Sequence, residues 1–143
     1  TVDLMRIDNA RPVIETCHSL ELGMIRCMDE VRERVRQHTG LSLTDVQIEQ
    51  VLAGHPCSLG DTVQDLIREQ GRFYTERLLS AVMEAGFDYH ALPVVMMGGG
   101  AAIVSRHIRP TDGLCRLVTM LDDRINAQGY ERAAAALAAR SGA

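Results

Sequence analysis

The chain has 143 residues, 46% of them apolar and 24% charged, with a formal net charge of −4 at pH 7. That length suits one domain with its own core, and the acidic balance argues against broad binding to nucleic acid or to an anionic membrane surface. With no run of about eighteen apolar residues and no leader-like start, a membrane-spanning or secretory reading has no support, and the expected location is the cytoplasm.

All fifteen basic residues are Arg. Cys17, Cys27, Cys57 and Cys115 form no Cys-x-x-Cys pair, so they read as buried or idle thiols rather than a zinc or redox motif. Thr1 already lies inside a strand-like segment and no initiator Met precedes it. The chain therefore reads as a piece of a larger protein, or as one whose beginning lies upstream.

In chain order, Val2 to Ile7 and Val13 to Cys17 read as strands, joined by turn chemistry in Asp8-Asn9-Ala10-Arg11-Pro12. A β-hairpin is expected. From Glu21 to His38, Leu22, Ile25, Met28, Val31 and Val35 recur at helical spacing, with Gly40 as the stop. Thr44-x-x-Gln47 and Ser58-x-x-Asp61 then read as two capping boxes that open further helices. The second of these helices runs through Val63, Ile67, Tyr74, Leu78 and Val82 to Gly86, and Gly71 predicts a break or bend in it.

Pro93 to Met97 reads as a short buried strand that runs into Gly98-Gly99-Gly100 and a helix ending near His107. Cys115 to Leu121 is a second strand, after which Asp122 or Asp123 caps a final Ala-rich helix towards Arg140. Alternating strands and helices predict parallel pairing in the second half, with antiparallel pairing in the opening hairpin. The expected fold is mixed α/β with a single mixed sheet and helices on both faces.

Three glycines between a strand and a helix have two readings. A helix start offers free N–H groups and a positive dipole end, and bare glycines let a flat ligand lie on the peptide planes. Equally, a tight turn allows close packing of helix on strand. Gly129 inside the last helix reads as a close-packing residue, and Asn126 as a local cap. The five histidines show no metal-ligand spacing, Asp122-Asp123 could suggest magnesium but reads as ordinary acidic capping before a helix, and no serine sits in a nucleophile elbow. No catalytic residue and no metal ligand is expected within the chain.

Met96-Met97-Gly98-Gly99-Gly100-Ala101-Ala102, followed by Asn126-Ala127-Gln128-Gly129-Tyr130, resembles the adenosine-site region of actin-like ATPases, above all the bacterial plasmid-segregation actins of the ParM/StbA kind. Ile125 stands where that pattern has Ala. Thr1-Val2-Asp3-Leu4 is similar to the strand after the family's second phosphate loop. The resemblance covers nearly the whole chain but only the second of the two RNase-H-like lobes that clamp ATP and magnesium.

It implies that Gly98, Gly99, Gly100 and Ala101 lie against adenine and ribose, that Thr1 borders the phosphates, and that Gly23 lines the nucleotide side of its helix. Residues 40–72 would form the small helical subdomain, from which Glu69 and Arg72 could reach the base or ribose. The same resemblance implies ATP or ADP with magnesium, filament assembly, a DNA-segregation adaptor as partner, and an isolated lobe that is inactive and prone to dimerise. Lobes of sugar kinases or heat-shock chaperones share the fold and form the alternative family.

A different class is a helix-turn-helix formed by residues 44–53 and 59–69. Its second helix offers Gln64, Arg68 and Gln70 against Asp61, Asp65 and Glu69, a poor balance for phosphate contact. Direct DNA binding is therefore not expected. A non-catalytic assembly surface is a third reading.

Overall fold

The computed structural model describes residues 1–122 and 124–141. Strands β1 (Val2–Asp8) and β2 (Arg11–Leu20) are followed by helices α1 (Met24–Thr39), α2 (Asp45–Leu52) and α3 (Asp61–Glu84). Strand β3 (Val94–Met97), helix α4 (Ala101–His107), strand β4 (Leu117–Met120) and helix α5 (Ile125–Ser141) complete the order. A 3-10 turn, Pro110–Asp112, lies between α4 and β4.

The hairpin pairs Val2 with Leu20 and Leu4 with His18, then shifts register so that Arg6 faces Val13. Thr16 stabilises this bulge: its hydroxyl accepts from the Arg6 N–H at 2.9 Å and donates to the Val13 carbonyl at 2.6 Å. Asn9 and Ala10 turn with φ of 50° and 60°, the hand that matches strand twist in a two-residue loop.

Local signals explain most helix ends. Gly40 closes α1 at φ 73°, donating its N–H to the Arg36 carbonyl at 2.9 Å. The Thr44–Gln47 capping box forms in both directions. Ser58, however, does not cap α3, which starts after Gly60 without a side-chain cap. Gln64 reaches back to the Leu59 carbonyl at 2.6 Å instead, and Asp61 in the first turn complements the dipole.

The break expected as one outcome at Gly71 does not occur, and α3 runs on for 24 residues. Packing is the reason. A Cβ on Gly71 would lie 2.7 Å from both His107 Nε2 and Leu52 Cδ2, so α2 and α4 press against α3 where it has no side chain. Burial there offsets the roughly 1 kcal/mol propensity cost of a helical glycine.

The core is helical. Val31 and Val35 of α1, Ile48 and Leu52 of α2, Ile67 and Tyr74 of α3, and Ile103 and Val104 of α4 form one buried cluster. The Tyr74 hydroxyl donates to the Leu22 carbonyl just ahead of α1. Burial pushes the Cys27 thiol up to about 12, with the nearby Glu30 charge adding to the effect, so it packs as a neutral group and not as a nucleophile.

The architecture is mixed α/β, but the single mixed sheet expected from the sequence does not form. Among the described residues β1 pairs with β2, antiparallel, while β3 pairs with β4, parallel. Val2, Leu20 and Met96 all pack on the helical core, so side chains on shared helices link the two sheets where no backbone ladder does.

At the last helix, Asp122 Oδ1 accepts the Arg124 N–H at 2.9 Å and the Asp122 carbonyl accepts from Ile125. Asp123, the alternative cap, and the side chain of Asn126 lie outside the described residues. Gly129 is exposed, and a Cβ there would meet nothing within 4 Å, which overturns the close-packing reading. No described helix is long and apolar enough to cross a membrane.

Two alanine substitutions should act in opposite directions. Gly71→Ala should lower global stability by about 1–3 kcal/mol through overpacking, measured by urea unfolding. Gly129→Ala should raise the helicity of α5, with up to about 1 kcal/mol of helix stability, measured by circular dichroism.

Candidate functional site

The glycine turn is built by its neighbours. Strand β3 delivers the chain to Gly98, which takes a φ of 91° that a side chain would resist. The Gly98 carbonyl accepts from the Ala101 N–H at 3.1 Å and the Gly100 carbonyl from Val104 at 3.0 Å, which starts α4. No side chain caps this start.

The three glycines differ in what surrounds them. A Cβ on Gly100 would sit 2.7 Å from Met24 Cγ at the start of α1, so Gly100 is a packing glycine. At Gly99 a Cβ would meet nothing within 4 Å, and its face is open. Ala101 is buried. Gly23 precedes α1 in extended conformation, and a Cβ on it would lie 2.7 Å from the backbone N of Thr1.

All six sequence-predicted residues therefore fall in one neighbourhood: Thr1 against Gly23, Met24 against Gly100, and Gly98 to Ala101 as one turn. Its surface is mainly backbone. The N–H of Ala101, the first residue of α4, is already taken by the Gly98 carbonyl, so the open part of the turn is the face of Gly99. The turn itself, Gly98 to Ala101, carries no side-chain nucleophile or general base.

Glu69 and Arg72 do not join this neighbourhood. Glu69 pairs with Arg34 of α1 at 2.6 Å. Arg72 makes a two-pronged contact with Asp112 at 2.6 and 2.5 Å, donates to the His107 carbonyl at 2.8 Å and pairs with Glu76 at 2.8 Å. Only 12% of the Arg72 side chain and 10% of the Asp112 side chain are exposed, so this pair clamps the end of α4 to α3.

The helix-turn-helix residues are also engaged internally. Gln64 holds the Leu59 carbonyl, Arg68 bonds Asp65 and Gln64, and Gln70 bonds Glu30. Among the described residues no three His, Cys, Asp or Glu side chains gather where a metal could be held.

A second region was not legible in the sequence. Arg106 and Arg109, at and just beyond the end of α4, share an open groove with Arg68, Phe73 and His107. The Ser105-Arg106-His107-Ile108-Arg109 run was its one local sign, and the facing wall comes from α2 and α3. Burial lowers the pKa of the His107 imidazole, and the neighbouring arginines lower it further, so the ring is neutral at pH 7. Its Nδ1 donates to the Ile103 carbonyl at 2.9 Å.

Comparison with family models, with curated proteins and with solved structures gives no match.

The partly buried Arg72–Asp112 pair gives a prediction for the acid limb. The Arg72 guanidinium, with help from the Arg109 N–H, holds the Asp112 carboxyl below its ordinary range. Its contribution is present above the ordinary carboxylate pKa and is lost as pH falls through the lowered folded value. Asp112→Asn should cost about 1–3 kcal/mol at pH 7, because Arg72 loses its two-pronged partner and keeps only Glu76 and the His107 carbonyl. Unfolding free energies measured from pH 7 down to pH 2 should converge for the two proteins at the acid end.

Proposed function

We propose that this chain is the adenosine-side lobe of an actin-like ATPase of the bacterial, filament-forming kind. The observation that carries the reading is that Thr1, Gly23 and Gly98 to Ala101, three separate parts of the sequence, lie together, with Thr1 against Gly23, Met24 against Gly100 and the face of Gly99 open. The element order also suits such a lobe, with an antiparallel hairpin first and a parallel pair linked through a glycine turn and helix.

In this reading adenine and ribose lie on the peptide planes at Gly98 and Gly99, and Thr1 and Gly23 border the phosphate side. Magnesium is held mainly through the phosphates, since Mg²⁺ keeps most of its water and takes few protein ligands. The chain's own part is to bind and orient. Hydrolysis requires a positioned water and charge stabilisation from an opposite wall, so these residues alone form an inactive half-cleft. The whole protein would polymerise in the cytoplasm and time disassembly by hydrolysis, with a DNA-segregation adaptor as a partner.

The strand pairing supports self-association. Each two-stranded sheet leaves edges unpaired, and Val95, Met97, Met120 and Leu121 are between 37% and 67% exposed. Sheets of two strands are marginal alone, and open edges recruit further strands.

Gly99→Val gives a clean test of nucleotide binding, because valine there fills open space without touching the packing that Gly100 makes with Met24. Calorimetry with MgATP and MgADP, on this chain and on the protein at its natural length, should show binding in the longer protein that the valine weakens at least about tenfold with unfolding unchanged. Equal binding by the valine variant would reduce the turn to a packing device. Sedimentation of the 143-residue chain over a wide concentration range should show dimers or larger species; a constant monomer mass would count against the self-association.

A further inference from the structure

The groove at the far end of α4 from the glycine turn has a volume of about 550 Å³ and is bordered by α2, α3 and the end of α4. Four arginines line it, Arg68, Arg72, Arg106 and Arg109, within a chain whose net charge is −4.

The acidic groups around it are already engaged. Glu69 is paired with Arg34, and Glu76 and Asp112 with Arg72. Arg68 meets Asp65, whose side chain is 75% exposed, a contact worth little in water. Among the described residues no carboxylate lies within ion-pair distance of Arg106 or Arg109.

Arg106 also lies over backbone. Gly54, at φ 75°, leaves vacant the volume its guanidinium occupies: a Cβ on Gly54 would lie 2.1 Å from Arg106 Cζ. A guanidinium that lies over backbone and lacks a carboxylate presents a planar fork that can take one in two parallel bonds. Between the charges lie apolar surfaces, Val51 of α2 and Phe73 of α3, the latter 46% exposed.

We infer that this groove docks an acidic peptide segment of a partner protein, with carboxylates taken by Arg106, Arg109 and Arg68 and an apolar side chain set against Phe73 and Val51. Forks on separate elements with apolar surface between them suit an extended chain that alternates acidic and apolar residues. A nucleic-acid strand fits less well, because the arginines stand on separate elements with the apolar Val51 and Phe73 between them and offer no continuous track for successive phosphates. The inference is independent of the nucleotide reading, since it uses the opposite end of α4.

The probe is a fluorescein-labelled pool of peptides about ten residues long, with Glu or Asp alternating with Leu, Phe or Val. Binding is followed by anisotropy and mapped by amide chemical shifts. Binding should fall with rising salt and weaken at least about tenfold when the peptide acids become Gln and Asn, or when the protein carries Arg106→Glu with Arg109→Glu. Both arginines are exposed, so circular dichroism should show the double variant folded. Gly54→Ala should weaken binding without altering charge, and the shifted amides should lie in residues 51–54, 68–73 and 105–109.

Absence of binding to the unaltered protein, equal binding by the double variant, or shifts elsewhere would overturn the proposal. So would occupation of the groove by inorganic triphosphate or a single-stranded oligonucleotide when the peptide pool leaves it empty.

Discussion

The packing of α2 and α4 onto α3 at Gly71 is the contact on which the other features depend. Because that position has no side chain, the His107 ring and Leu52 come down onto the α3 backbone. Helix α1 lies against the same helix further along, through Tyr74 and its bond to the Leu22 carbonyl. A 24-residue helix thereby serves as the axis for three others, and the two small sheets rest on that assembly through Val2, Leu20 and Met96.

Helix α4 shows how the assembly places chemistry. It has only seven residues, too few to be stable by itself, so both of its ends are held by tertiary contacts. Its start is set by the φ of Gly98 and by Met24 pressing on Gly100. Its end is clamped by Arg72, which binds the His107 carbonyl and Asp112 together. The first constraint leaves an open backbone surface at Gly99; the second sets Arg106 and Arg109 beside α2 and α3. One short helix thus positions both regions with functional potential.

The charges follow the same economy. Arg72 and Asp112 are mostly buried and committed to structure, and the more open Glu69 and Arg34 pair with each other at the α1–α3 seam. Net charge alone describes an acidic protein, yet once those pairs are matched the wall around Arg106 is positive. The chemistry of a surface is decided by what remains unpaired after folding, a quantity that composition does not contain.

Elements governed by local physics were legible from residue order. The hairpin, the Thr44–Gln47 capping box, the Gly40 stop and the parallel pair in the second half depend on neighbours within a few residues or on simple alternation, and each formed as expected. The shared location of Thr1, Gly23 and the glycine turn was suggested by resemblance, not by periodicity, and the packing around these residues could be seen only in three dimensions. Misreadings arose where distant partners decide the outcome. Gly71 read as a break or bend because propensity is local, whereas the contacts with His107 and Leu52 that pack the unbroken helix at this position come from residues 36 and 19 positions away. Gly129 read as a packing residue, but tertiary structure put no neighbour beside it. The sequence by itself determined element order and most helix ends, since those are set by short-range hydrogen bonds and side-chain spacing. Tertiary structure alone decided that the strands form two pairs, which glycine faces stay open and which arginines lack a carboxylate, because each depends on groups brought together by burial across long stretches of chain.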